Sequence, residues 1–404
     1  MKYVILLGDG MGDYPLKALA GRTPLEAAHT PHMDFLANHR VGLLQTIPTG
    51  MPAGSDVAIL SILGYDPAQC YPGRGPLEAA VKGIELGADD IAFRCNLVTL
   101  AALSSEPIME DFTAGHITSW EAAEIIATLA EHFQKSEFEF YSGVGYRHLC
   151  IWRNGRDALR TTPPHDIISK PIAEYLPQGR AAATICEIMS QSQELLIPHP
   201  INNARRQAGK KIANSIWLWG QGRAPRITPL TERYSLTGAV ISAVDLLNGA
   251  GKYAGLETIA VEGATGYIDT NYAGKAQAAL EALQKGKDFI LLHVEAPDEM
   301  GHEGNWQGKI KAIEDFDEKI VGVILKKLNE MGNFRLLVLS DHLTPIALKT
   351  HSAEATPFAF FSSNPEENRR SCLPFSERAA RESGLLIDPG HLFLEMFIDG
   401  KFTD

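Results

Sequence analysis

Apolar residues in this chain gather into short unbroken runs that stop abruptly on acidic residues. Phe289-Ile-Leu-Leu-His-Val294 leads to Asp298 and His302, Tyr3-Val-Ile-Leu-Leu-Gly8 to Asp9, and Arg335-Leu-Leu-Val-Leu-Ser340 to Asp341 and His342, with His351 nearby in the chain. Runs without alternation suit parallel strands buried on both faces, and such sheets bind their ligands beyond the carboxyl ends of the strands. Ile310, Ile313, Phe316, Ile320, Ile324 and Leu328 mark one face of a long amphipathic helix between the last two runs, which predicts a strand-helix-strand unit.

The other elements follow from local signals. Thr23-Pro24-Leu25-Glu26 reads as a capping box, and Thr30-Pro31 opens another helical stretch in which His29 and His32 are cap or surface residues. Met51-Pro-Ala-Gly54-Ser55 enters an apolar helix that Gly64 stops. Arg74 sits between two glycines ahead of a further helix. Trp217 and Trp219 alternate with Ile216 and Leu218 on a strand and read as core. Thr237 through Leu247 reads as a buried helix, Glu257 through Gly266 as a strand and turn, and Lys275 through Leu283 as a short helix.

Length divides this picture. A chain of 404 residues exceeds one usual core, and its texture shifts to shorter elements between about 90 and 195. The expectation is a main domain of residues 1–89 and 196–404, interrupted by an inserted domain of residues 90–195. Charged residues at 21% are ordinary for a globular enzyme, while a net charge of -12 argues against a nucleic-acid or anionic-membrane surface. The five cysteines carry no CxxC spacing and read as reduced cytoplasmic thiols. No run reaches the ~18 apolar residues of a membrane span.

Candidate chemistry follows from spacing. Asp298 and His302, four residues apart, fall on one side of a helical turn, and carboxylate with imidazole suits a divalent ion of the Mn or Zn kind. Asp9, Asp341, His342 and His351 offer the same donor types. Ser55 stands where free amide groups gather at a helix start, either as a cap or as an activated nucleophile facing a phosphoryl group. Gly10 and Gly12 flank a turn able to approach a ligand closely. In the insert and just beyond it, Arg94, Asn96, His116, Arg147, His148, His165, Asp166 and Arg205 are candidate substrate-holding residues. The Arg147-His148 pair reads as an anion clamp or as a solvated strand edge.

Taken together, GDGMGD, PAGSDVAILSILGYDP, GRGPLEAA, AFRCN, NSIWLWGQG, VEGATG, HVEAPDEMGH and SDHLTP closely resemble the cofactor-independent phosphoglycerate mutases of the archaeal type, within the alkaline phosphatase superfamily. The resemblance implies an α/β alkaline-phosphatase-like fold, a mostly parallel sheet flanked by helices, with a smaller α+β transferase domain inserted. It implies two divalent ions, commonly Mn with Zn, Mg or Co as alternatives, and no 2,3-bisphosphoglycerate. Asp298, His302 and His351 then resemble the ligands of one ion and Asp9, Asp341 and His342 those of the other. Ser55, joining the two, then resembles the residue that becomes phosphorylated. The implied substrate is a small phosphorylated metabolite, with 3- and 2-phosphoglycerate interconverted; nothing specifies an oligomeric state.

The insert departs from the archaeal pattern. Asp111-Phe-Thr-Ala-Gly-His116-Ile117 holds no Arg where the archaeal mutases are arginine-rich. Its Arg-Cys-Asn-Leu-Val-Thr-Leu and Pro-Pro-His-Asp-Ile runs, with Asn-Ser-Ile-Trp-Leu-Trp, look more like a bacterial branch proposed to phosphorylate homoserine. An ATP-dependent homoserine kinase, with Asp111 or Asp166 meeting the substrate ammonium, is therefore the alternative. A plain phosphatase and a non-catalytic metal-binding protein stand further back.

Overall fold

The three acid-delivering runs lie side by side in the computed structural model, which describes residues 1–103, 106–155 and 159–402. Strand Lys2–Gly8 pairs in parallel with Phe289–Val294 on one side and Phe334–Leu339 on the other. Their registers align Gly8 with Val294 and Leu7 with Leu339, so the chain leaves the sheet with Asp9 level with Glu295 on one side and with Asp341 on the other. Every residue of Phe289–Val294 and Phe334–Leu339 is buried, as two-sided burial requires.

These strands form the centre of an eight-stranded sheet. In spatial order it runs Glu257–Thr258, Gly238–Ile241, Phe289–Val294, Lys2–Gly8, Phe334–Leu339, Thr356–Ser362, Val41–Leu44 and Leu386–Ile387. Only Thr356–Ser362 is antiparallel to its neighbours, so the sheet is mostly parallel. One large cluster joins the sheet to its helices, with Val4, Leu6, Ile290, Leu292, Leu336 and Val338 buried against Ile313, Phe316, Ile320 and Ile324.

Two expected helices differ from the pattern that predicted them. The stretch Thr237 to Leu247 is not one helix; it is strand Gly238–Ile241 followed by helix Asp245–Tyr253. A short apolar run carries no period that separates a buried strand from a buried helix, and β-branched Val240 and Ile241 favour the strand. The long helix between the acid-bearing strands begins at Trp306 and contains a π turn at Asp317–Val321 before Gly322–Met331. Its buried face also includes Lys309, which the apolar pattern does not mark.

The described residues divide into two compact units, Met1–Tyr71 with Arg226–Asp404, and Pro72–Pro225. The span 90–195 falls inside the second unit, which also takes in helix Arg74–Val81 and strand Ser215–Gly222. Strand pairing explains the wider extent: Ile91–Leu103 has Ser215–Gly222 on one side and Arg147–Trp152 on the other, so the later strand completes that sheet. Helices Ser119–Phe133 and Ala182–Leu196 pack on it, with Ile125, Leu129, Ile185 and Trp217 in a shared core. Among the described residues no helix is long and apolar enough to cross a membrane.

Candidate active site

Beyond the carboxyl ends of the central strands, the acids meet the histidines. Asp9, Asp341 and His342 bring one donor atom each within 4.8 Å of one another, and so do Asp298, His342 and His351. His342 is common to both groups. Its Nε2 lies 3.5 Å from Asp9 Oδ1 and 3.3 Å from Asp341 Oδ2. His302, one helical turn beyond Asp298, places Nε2 3.2 Å from Asp298 Oδ2 and 2.9 Å from His351 Nε2. All seven candidate ligands, Ser55 included, thus gather in one region.

The backbone is shaped for this approach. Gly10 has φ +58, and a Cβ there would lie 2.6 Å from Asp298 Oδ1, so only glycine lets the loop after the first strand pass this close. Its N–H donates to Asp341 Oδ1 at 3.1 Å. Helix Ser55–Ile62 has Gly54 as its N-cap, without a side-chain cap. Ser55 is therefore not a cap. Its Oγ instead lies 3.1 Å from His342 Nε2 and 3.5 Å from Asp9 Oδ2.

Hydrogen bonds at the rear nitrogens turn the Nε2 atoms inward. His302 Nδ1 lies 3.0 Å from Lys349 O and His351 Nδ1 3.4 Å from Ala53 O, acceptors that require a proton on Nδ1. Thr344 Oγ1 donates to Asp298 Oδ1 and lies 3.2 Å from His342 Nδ1, so that ring donates through Nδ1 as well. The Nε2 atoms of His302 and His351 then face Asp298, and that of His342 faces Asp9 and Asp341.

That donor set fits divalent ions. Asp9 Oδ1 and Asp341 Oδ2 are buried and accept no hydrogen bond, a costly arrangement for carboxylates unless a cation meets them. Burial, followed by the charges of Asp341 and Asp298, pushes the Asp9 carboxyl well above its ordinary range. Burial pushes Asp298 upward too, but hydrogen bonds from His302 and His351 hold it well below. The bond to Asp298 in turn raises His302 to about 9. Two cations among these groups would satisfy the orphaned oxygens and the converging ring nitrogens together.

Candidates in the second unit fare differently. Arg94 is largely buried, pairs with Glu78 at 2.8 Å and stacks over Trp219 at 4.5 Å. Burial lowers its pKa, with Arg74 and Arg147 pressing in the same direction. Asn96 accepts from Trp219 Nε1 at 3.0 Å. His165 sits edge-on to Trp219, 5.3 Å between centroids, and burial with Arg74 and Arg94 lowers its pKa against the pull of Asp166. Arg94 thus feels Arg74 and Arg147, and His165 feels Arg74 and Arg94, with Glu78 and Asp166 as the acids beside them. His148 is buried; its Nδ1 accepts from Gly143 N–H, its Nε2 has no partner, and burial lowers it to about 4. Exposed His116 occupies a left-handed backbone position.

Arg205 is engaged within its own unit. Its guanidinium is buried and spent on Lys211 O, Glu121 and Ala114 O, which makes it a tie inside the unit. Asp111, considered for an ammonium, instead accepts from Thr113 N–H and Oγ1–H and lies 3.2 Å from Lys211 Nζ. It closes its own turn.

A protein of Methanosarcina barkeri described as a 2,3-bisphosphoglycerate-independent phosphoglycerate mutase is 52% identical over 388 residues, 95% of this chain and 96% of the relative. The chain belongs to that family. The family profile of the 2,3-bisphosphoglycerate-independent phosphoglycerate mutases matches residues 37–202. A solved structure from Pyrococcus horikoshii shares 32% identity with a TM-score of 0.81, covering 100% of this chain and 99% of its own. The cofactor-independent phosphoglycerate mutase from Thermoplasma acidophilum, 23% identical with a TM-score of 0.66 over 99% of both chains, shares the fold.

In this member of the mutase family, His293 is a site residue that spacing does not reveal. It lies within the apolar run Phe289–Val294, wholly buried, with Nε2 2.8 Å from Asp9 Oδ2. A polar residue inside a strand buried on both faces must find a partner, and that was the available signal. Thr344, the bridge between His342 and Asp298, follows the SDHL motif and carries no such mark.

Proposed function

We propose that this chain interconverts 3-phosphoglycerate and 2-phosphoglycerate through phosphorylated Ser55, using two divalent ions, Mn first among them, and no bisphosphoglycerate. The observation that carries this reading is the position of Ser55 Oγ, 3.1 Å from the imidazole shared by both donor groups. Asp9, Asp341 and His342 would hold one ion and Asp298, His302 and His351 the other. The ions would lower the serine pKa and neutralise phosphoryl oxygens.

Ser55 Oγ attacks phosphorus while the bond from phosphorus to the C3 oxygen breaks. The serine hydroxyl gives up its proton, and the departing oxygen gains one. In the second step the C2 hydroxyl attacks the phosphoserine and the serine hydroxyl is restored. The amino end of helix Ser55–Ile62, where Ser55 is the first helical residue, favours developing negative charge through the helix dipole. The cluster of Arg74, Arg94, Arg147 and His165 is suited to a carboxylate, with Arg able to bind it bidentately.

The mutase description of the Methanosarcina relative does not favour the homoserine kinase alternative, and the commitment of Asp111 to its own turn removes one acid that a kinase would need. Five free thiols accord with a cytoplasmic location. The test is an activity panel. Purified protein with Mn should form 2-phosphoglycerate from the 3-isomer, lose that activity in chelator and regain it on adding Mn. ATP-dependent phosphorylation of homoserine without mutase turnover would reverse the assignment.

A further inference from the structure

Thr344 stands between the two groups of donors. Its Oγ1 donates to Asp298 Oδ1 and lies 3.2 Å from His342 Nδ1. A hydroxyl carries one proton, and here that proton goes to the carboxylate, so the imidazole N–H must point at the oxygen. Hydrogen bonds therefore run one way, from His342 through Thr344 to Asp298. At the far sides of this chain His342 Nε2 meets Asp9 and Asp341, while Asp298 Oδ2 meets His302. One side chain thus joins a ligand of each proposed ion.

The fold pins that side chain. Thr344 is wholly buried; its N–H donates to Gly12 O at 3.2 Å and its carbonyl accepts Lys309 Nζ at 2.9 Å. Two glycines make room for it. A Cβ at Gly10 would lie 2.5 Å from Thr344 Oγ1, and one at Gly301 would lie 2.8 Å from Thr344 Cγ2. Packing alone asks only for the volume of this side chain; the hydroxyl is what connects two ligands, in a chain whose bonds strengthen one another.

We propose that Thr344 is a positioning residue that couples the two metal sites, so that filling one prepares the other; this rests on the two-ion reading above. When His342 Nε2 faces a cation, the ring becomes a stronger donor at Nδ1. Thr344 passes that gain to Asp298, holding Oδ1 while Oδ2 stays turned toward His302. The second set of ligands is then ordered before its ion arrives, and ordering already done adds to affinity.

The test counts bound ions. Full-length protein freed of metal by chelator is titrated with Mn, and native mass spectrometry reads the fractions holding none, one and two ions. The wild type should pass from none to two with the one-ion form scarce throughout. Thr344→Val should accumulate the one-ion form, with its second ion held about tenfold more weakly. Thr344→Ser, which keeps the hydroxyl, should restore the wild-type distribution, and Thr344→Ala serves as a second hydroxyl-free variant. A wild-type distribution in both hydroxyl-free variants, or Thr344→Ser as disturbed as Thr344→Val, would overturn the coupling. Two ions that fill independently in the wild type, with the one-ion form accumulating, would also overturn it and leave the two-ion reading intact. A wild type that never holds a second ion would overturn both.

Discussion

His293 Nε2 lies 2.8 Å from Asp9 Oδ2, and Ser242 Oγ lies 3.0 Å from the opposite ring nitrogen. Ser242 Oγ already accepts Val244 N–H, so its own proton is available to His293 Nδ1, which leaves Nε2–H to donate to Asp9. Burial, with Lys275 nearby, lowers the His293 pKa and keeps the ring neutral. A chain of three groups therefore fixes which way the Asp9 carboxylate points. His293→Leu should weaken Mn binding by about 10–100-fold, the cost typical of losing a group behind a metal ligand. Metal titration of the folded variant decides it, and an unchanged affinity would reduce His293 to a core residue.

Ser55 should separate catalysis from stability. Because Gly54 caps the helix and Ser55 Oγ faces His342, Ser55→Ala removes no capping bond. Turnover should fall by several orders of magnitude, while the change in unfolding free energy stays under the ~1 kcal/mol of a lost cap. Near-normal turnover would make water or another group the nucleophile.

Two arginines of the second unit should behave as opposites. Exposed Arg147 has its guanidinium 5.7 Å from the Tyr146 ring, whereas Arg205 is buried with every arm engaged. Arg147→Ala should raise KM for phosphoglycerate and spare hydrolysis of a small generic phosphoester, with Tm unchanged. Arg205→Ala should lower Tm, since it leaves Glu121 and two carbonyls short of a donor. A KM effect from Arg205→Ala without loss of Tm would return it to substrate holding.

Parts of this site were legible because they obey a local rule. Asp9, Asp298 and Asp341 end unbroken apolar runs, and parallel pairing then had to bring them together. His293 and Lys309 were not legible, because a partner distant in sequence overrides the pattern at each position. The same holds for Arg205, whose acceptors at Ala114 and Glu121 lie far back in the chain. Strand Gly238–Ile241 was misread because four apolar residues show no period, and the π turn at Asp317–Val321 leaves no mark in an apolar stripe.

Lys309 offers a measure of such hidden contacts. Its Nζ is fully buried and donates to Asp13 Oδ2 at 2.7 Å, Gly12 O at 3.0 Å and Thr344 O at 2.9 Å, joining the loops that carry Asp9 and His342. Lys309→Met leaves the Asp13 carboxylate buried without its cation and should cost about 3–5 kcal/mol in urea unfolding. A loss below 1 kcal/mol would mean that Asp13 finds another partner.

Glu377 adjoins this cluster and should make stability depend on pH. Its Oε1 accepts Asp13 N–H at 2.9 Å and its Oε2 accepts Thr23 Oγ1–H at 2.7 Å. Burial outweighs these bonds and the nearby Lys309, raising its pKa from 4.5 to about 7. The folded state therefore holds this proton more tightly than the unfolded chain. Its contribution, roughly 3 kcal/mol at ~1.4 per unit, is fully present below about pH 4.5 and is lost as pH rises through about 7. Glu377→Gln keeps the shape and cannot ionise. The wild type should lose stability relative to this variant between about pH 5 and 8, and parallel unfolding curves across that window would show that Glu377 is ionised throughout.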